Sequence, residues 1–179
     1  AWRHATQEQE GEWLKKVFSS QNNIGSATMQ KDDPVPLLST FNFSFEFNQP
    51  EFILPTGVGG FSVVPLVHTG MSVRRLVSYS KEEIKGYDVV CSNGYSIERF
   101  VYEFPDNLKI LAKPEDFKIE ENHLYFKATY ELEGNTLKVV RELNDQTPGN
   151  VCSDTLTNQQ RQTLIKIADN MRSQVVYQH

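Results

Sequence analysis

Cys91, His123 and Asp145 occur in the order a thiol-dependent hydrolase would use: nucleophile, base and orienting carboxylate. Local sequence argues against that chemistry. A thiol is activated where a helix N-terminus or a neighbouring cation lowers its pKa. Cys91 instead follows the apolar run Tyr87-Asp88-Val89-Val90 and precedes Ser92-Asn93-Gly94, which reads as a strand running into a turn. His123 lies in Glu120-Glu121-Asn122-His123, a polar turn.

Other chemistries have weaker support. The four histidines, His4, His68, His123 and His179, are scattered, with no His or Cys at ligand spacing, so no metal site is expected. The glycines of Leu54-Pro55-Thr56-Gly57-Val58-Gly59-Gly60-Phe61 have no Lys-Ser or Lys-Thr after them and read as a turn-rich loop, not a phosphate cradle. Arg74 and Arg75 lie in an apolar run, Val73 to Ser80; an anion site is one reading of the pair, and a strand edge with one partnered charge is the commoner one. No Gly-x-Ser-x-Gly elbow is present. No cofactor is expected.

The chain has 179 residues and a formal net charge of −5, with no basic run, so nucleic acid is not an expected partner. No apolar stretch approaches the roughly 20 residues of a transmembrane helix. The two cysteines, Cys91 and Cys152, are too few for a disulfide framework. Two outcomes stand open on their residues alone. They are two free thiols, or one bridge closing a loop of about 60 residues that would stabilise the fold by about 4 kcal/mol.

The elements that would position these groups are mainly strands. Phe41, Phe43, Phe45 and Phe47 alternate with Asn42, Ser44 and Glu46, the period of a half-buried strand over a core. Strands are also expected at 61–67, 87–91, 96–104, 108–112 and 117–120. A hairpin follows, 124–132 with 136–143, turning at Glu133-Gly134-Asn135. Leu124, Phe126, Ala128, Tyr130 and Leu132 share one face, and Leu137, Val139, Arg141 and Leu143 another. Arg141 interrupts the apolar face and calls for a buried counter-charge, with Glu103 or Glu131 as candidates.

Helices bracket the strands. Residues 6–20 read as a helix with Thr6 and Gln9 as a capping box and Trp13, Leu14, Val17 and Phe18 on one face. A second helix is expected over about 157–175, capped by Thr157 and Gln160, with Leu164, Ile167, Ala168, Met171 and Val175 as its stripe. The fold class is therefore mainly β: an antiparallel β-sandwich with a C-terminal capping helix and a short N-terminal helix. Residues 1–25 read as a helix or linker from a preceding domain, and residues 26–179 as the β-domain. The opening Ala1-Trp2-Arg3-His4 reads as the start of a fragment.

Several strings have the order of a known arrangement. They are Phe52-Ile53-Leu54-Pro55-Thr56-Gly57-Val58-Gly59-Gly60-Phe61; Val90-Cys91-Ser92-Asn93-Gly94 with Glu98 and Phe104-Pro105; Tyr130; Arg141-Glu142-Leu143-Asn144-Asp145; and Thr147-Pro148-Gly149-Asn150-Val151-Cys152. Together they resemble the C-terminal region of bacterial DUF3857/DUF3858 transglutaminase-like proteins, most specifically from Phe41 to Tyr177. The resemblance implies a large exported or membrane-associated Gram-negative protein with a central transglutaminase-like domain and a C-terminal β-sandwich. That family's catalytic Cys, His and Asp belong to the central domain, and no position here matches their motifs.

The resemblance also favours a Cys91–Cys152 pair, an extracytoplasmic location such as the periplasm, and a non-catalytic accessory role. The implied partners are the adjacent transglutaminase-like domain of the same polypeptide and a peptide, glycan or envelope protein. Cys91, Cys152, the Phe41, Phe43, Phe45 and Phe47 ladder, Arg141 and the Pro148-Gly149 corner are then structural. The alternative is a free-standing carbohydrate- or peptide-binding module with Tyr79, Tyr87, Tyr95 and Tyr102 as its aromatic patch. A small cysteine-dependent hydrolase is a third reading and needs an unpaired Cys91.

Overall fold

The computed structural model describes residues 4–20, 26–33, 35–36, 42–48, 52–53, 56–63, 73–91 and 93–179, without the side chains at 17–20, 27, 43, 45–47, 74–75 and 79. Among the described residues the chain is mainly β, with antiparallel sheets and three α-helices. It divides into two compact units, Ala1–Pro55 and Thr56–His179.

The first unit holds helix α1 (Gln7–Ser20) and strands β1 (Ser26–Lys31) and β2 (Phe43–Asn48). The capping box forms as the spacing implied. Gln9 N–H donates to Thr6 Oγ1 at 3.3 Å, and Thr6 N–H donates to Gln9 Oε1 at 2.9 Å. Leu14 is buried, and Trp13 half-buried. Glu10 is paired with Lys31 of β1, whose ammonium also donates to Ala5 O at 2.6 Å. β1 and β2 pair antiparallel, Ser26 opposite Asn48 and Lys31 opposite Phe43. The expected boundary at 25/26 falls inside this unit. Phe43, Phe45 and Phe47 lie in β2, their side chains outside the description, and Phe41 lies outside the described residues.

The second unit is built on a four-stranded antiparallel sheet, ordered β5 (Gly94–Glu103), β9 (Thr136–Asp145), β8 (Leu124–Glu133), β7 (Phe117–Glu121). The β8–β9 hairpin turns at Gly134, whose φ of 56° suits glycine in a tight hairpin turn. Phe126 stands opposite Leu143 and Tyr130 opposite Val139, so both apolar rows fall on one buried face. A three-stranded sheet, β3 (Val58–Ser62), β11 (Gln174–Gln178), β6 (Lys109–Ala112), brings Phe61 against Tyr102 and Phe104 at 5.2 and 6.1 Å between ring centroids. Helix α3 (Asp154–Arg172) buries Thr163, Leu164, Ile167, Ala168 and Met171.

Several local expectations are corrected. Val73–Ser78 is a short helix, α2, not a strand edge, and Val73 and Leu76 are buried at helical i, i+3 spacing. A 3₁₀ turn, Tyr79–Lys81, follows. The Gly-rich segment supplies β3, because Gly59 and Gly60 leave room for Tyr177 and Gln174 of β11 to lie over the backbone. Helix α3 begins one turn earlier than the Thr157 cap. Ser153 is the N-cap, its Oγ accepting from Leu156 N–H at 3.3 Å, while Thr157 Oγ1 donates to Ser153 O. The helix also ends before Val175, which lies in β11.

Candidate functional site: a cavity beside a disulfide

The Pro148-Gly149 corner sets the geometry of the site. Gly149 has φ 77° and turns the chain after β9 so that β10 (Val151–Cys152) runs back along β4 (Val89–Val90). Val151 stands opposite Val90 and Cys152 opposite Val89, while Cys91 N–H donates to Asn150 O at 3.2 Å and Asn93 Nδ2 to Gly149 O at 3.3 Å. This ladder places Cys91 and Cys152 with 5.3 Å between Cα atoms, and they are joined as a disulfide. Cys152 is 2% exposed.

Behind the disulfide lies a cavity of about 350 Å³. Leu76, Ile84, Val89, Leu124 and Leu164 form its apolar walls, and the disulfide itself is part of the lining. The 82–88 connection is fixed over it by α3. Asn158 accepts from Ile84 N–H at 3.0 Å and donates to Ile84 O at 2.6 Å, the two bonds a neighbouring strand would make. Asp154 accepts from Gly86 N–H at 3.2 Å, and this bond, with others from Thr155, holds its carboxyl below the usual range.

The floor is polar. Asp145, buried at the end of β9, accepts from Thr147 N–H at 3.0 Å and from Thr147 Oγ1 through the same oxygen, Oδ1. Gln160 of α3 donates to Thr147 Oγ1 at 2.5 Å and to Asn122 O at 3.2 Å. Asn122 in turn donates to Thr163 Oγ1 and to Gln159 O, at 3.0 and 3.1 Å. The turn between β7 and β8, where Asn122 and His123 have φ of 52° and 66°, is thereby tied to the helix.

The hydrolase order therefore does not assemble. Cys91 has no thiol to offer while it is bridged, His123 is exposed at the turn, and Asp145 orients Thr147 in place of an imidazole. Asp145 does line the same cavity as Cys91, a juxtaposition that sequence spacing alone did not indicate.

Arg141 is a second buried polar centre and is 0% exposed. Nη1 donates to Val63 O at 2.6 Å and Nη2 to Tyr130 Oη at 3.3 Å, and the guanidinium carbon lies 5.7 Å from the Phe100 ring centroid. Across β9, Ala128 stands opposite it on one side and Glu98 on the other. The expected counter-charges are corrected: Glu103 stands opposite Thr136 and Glu131 opposite Lys138, so Glu98 is the carboxylate on the guanidinium's row. Burial pushes the Glu98 carboxyl up, opposed by the Val73 N–H bond at 3.3 Å and by the charge of Arg141.

The four tyrosines do not share a surface. Tyr102 lies on the half-buried row of β5, stacked near Phe104, and burial pushes its hydroxyl up to about 12. Tyr95, seven residues earlier on the same strand, points to the opposite, exposed face. Tyr87 is exposed in the 82–88 connection, and the side chain of Tyr79 lies outside the description. Among the described residues no group of three or more His, Cys, Asp or Glu is gathered for a metal, and no helix is long and apolar enough to cross a membrane.

No protein-family model matches the chain, and no curated protein matches it. Its fold is similar to part of the crystal structure of a candidate protease from Parabacteroides distasonis, with a TM-score of 0.54 and 13% sequence identity. The match covers 69% of this chain and 24% of that protein, so the matched part spans about a quarter of that protein's length.

Proposed function

We propose that this chain is a non-catalytic accessory region of a larger exported bacterial protein of the DUF3857/DUF3858 transglutaminase-like kind. In that setting it positions a neighbouring catalytic domain or docks a partner from the cell envelope. The observation that carries this reading is the Cys91–Cys152 disulfide. It occupies both cysteines of the chain, and a bridge of this kind persists in oxidising compartments such as the periplasm. The likeness to one quarter of a longer protein supports the same reading, since the shared fold is a component there and not the whole.

The test is an assay of peptide-amide hydrolysis and amine transfer on the isolated chain, oxidised and reduced. The expected result is no turnover in either state beyond that of the Cys91→Ser variant. Turnover that appears on reduction and vanishes in Cys91→Ser would overturn the proposal, because it would make Cys91 a nucleophile.

A further inference from the structure

The floor of the cavity beside the disulfide has spent its hydrogen-bond donors and kept acceptors. Thr147 Oγ1 uses its one hydrogen on Asp145. Gln160 uses its amide on Thr147 and Asn122. Thr157 Oγ1 uses its hydrogen on Ser153 O. On the acceptor side, Asp145 takes both Thr147 bonds on Oδ1. Its Oδ2 and the Oε1 of Gln160 receive no hydrogen bond among the described residues, yet neither atom is sealed from solvent. The carboxylate belongs to a residue only 5% exposed, so it is reached from the cavity and hardly at all from elsewhere.

A buried carboxylate with an open oxygen favours a group that brings donors and a positive charge. Above the floor, Leu76, Ile84, Val89, Leu124 and Leu164 favour a hydrocarbon stem, while Lys81 and Glu82, both exposed, add one charge of each sign to the lining. At about 350 Å³ the space lies at the small end of ligand pockets, which suits a short chain and not a ring system or an oligomer. We propose that this cavity is a binding site for a primary ammonium on an apolar stem, with the ammonium on Asp145 and Gln160 and the stem among the leucines. An alkylamine and a lysine side chain share this chemistry. The proposal rests on the cavity alone and not on the accessory role.

The test is a titration of the oxidised, ¹⁵N-labelled chain, followed by amide shifts, with hexylammonium and with 1-hexanol as its uncharged counterpart. Saturable shifts at Asp145, Gln160 and Ile84 are expected, with hexylammonium binding at least about tenfold tighter than hexanol, the scale of one charged hydrogen bond. The same titration of Asp145→Asn should lose about that factor. That substitution is mild, since the carbonyl oxygen of the new amide can still accept both Thr147 bonds. If the variant does not fold, the comparison of amine with alcohol on the unaltered chain still decides. Equal binding of the two, shifts that do not saturate, or an unchanged Asp145→Asn affinity would overturn the site. Blocked tripeptides carrying Lys or norleucine identify the source. Binding of the Lys peptide alone assigns a protein lysine, and binding of hexylammonium without the peptide assigns a free amine.

Discussion

Breaking the Cys91–Cys152 bridge is the perturbation whose size can be worked from the chain itself. The cysteines are 61 residues apart. In the chain-entropy account, opening a loop of that length returns about 14 cal/mol/K to the unfolded chain, or about 4 kcal/mol at 25 °C. The ladder it staples is only two residues on each strand, Val89–Val90 with Val151–Cys152, extended by the bonds from Cys91 N–H to Asn150 O and from Asn93 Nδ2 to Gly149 O. A Cys91→Ala/Cys152→Ala double variant should therefore lose about 4 kcal/mol against the oxidised chain. At about 3–5 °C per kcal/mol for a unit of this size, its Tm should fall by about 12–20 °C. The assay is paired denaturant and thermal unfolding, followed by near-ultraviolet circular dichroism, of the oxidised chain, the reduced chain and the double variant. The reduced chain should track the variant. A loss below about 1 kcal/mol in both would refute the reasoning, because the bridge would then constrain neither the unfolded chain nor the fold.

Two further perturbations address the buried charges. The Glu98 carboxyl is raised in the fold above its ordinary value of 4.5. Between those two values the folded chain keeps a proton that the unfolded chain has released. The stability tied to Glu98 is therefore full at acid pH and is lost as pH rises through the raised value. Glu98→Gln, which can still accept from Val73 N–H, should gain on the unaltered chain as pH rises above the ordinary value of 4.5 in urea unfolding, and a constant difference would contradict this. Arg141→Met should cost about 1–3 kcal/mol by the same measurement, because Val63 O, buried beside it, loses its donor. The double variant Arg141→Met/Glu98→Gln should recover part of that loss, and strict additivity would show that the two side chains do not interact.

The local patterns were legible and the pairings between them were not. The β8–β9 hairpin is plain in the sequence, because a Gly-Asn turn and two alternating rows specify the turn, the register and the buried face together, and the ladder runs only slightly further than the pattern. The α1 capping box and the α3 stripe are local for the same reason. Short elements were misread where local preference and tertiary demand diverge. Val73-Arg74-Arg75-Leu76-Val77-Ser78 is rich in strand-forming valine, yet it is helical. Ser26–Lys31 is too polar to announce a strand, and its partner β2 supplies the reason it is one. Val175 sits four residues after Met171 and so continues the helical stripe on paper, while the pairing of β11 with both β3 and β6 ends the helix.

The site was half legible. The Pro-Gly corner and the two cysteines were visible, but which faces meet behind them depends on long-range register. Asp145 falls on the buried row of β9 two places beyond Leu143, and that position brings it to the disulfide cavity. The counter-charge of Arg141 was misplaced for the same reason. Glu98 stands opposite it through the β5–β9 alignment, which no local signal sets, and the two form no ion pair. Tyr102 was grouped with Tyr95 by composition, although a separation of seven residues puts them on opposite faces of one strand.

In the proposed exported region the two cysteines serve as a staple and not as a nucleophile. The most direct test is a thiol count with intact mass on the protein taken from its own compartment under denaturing, non-reducing conditions, beside a reduced control. The account expects no free thiol and a mass two hydrogens below the reduced form. Two free thiols with the masses equal would contradict it, leaving Cys91 open to chemistry and the exported location without its support.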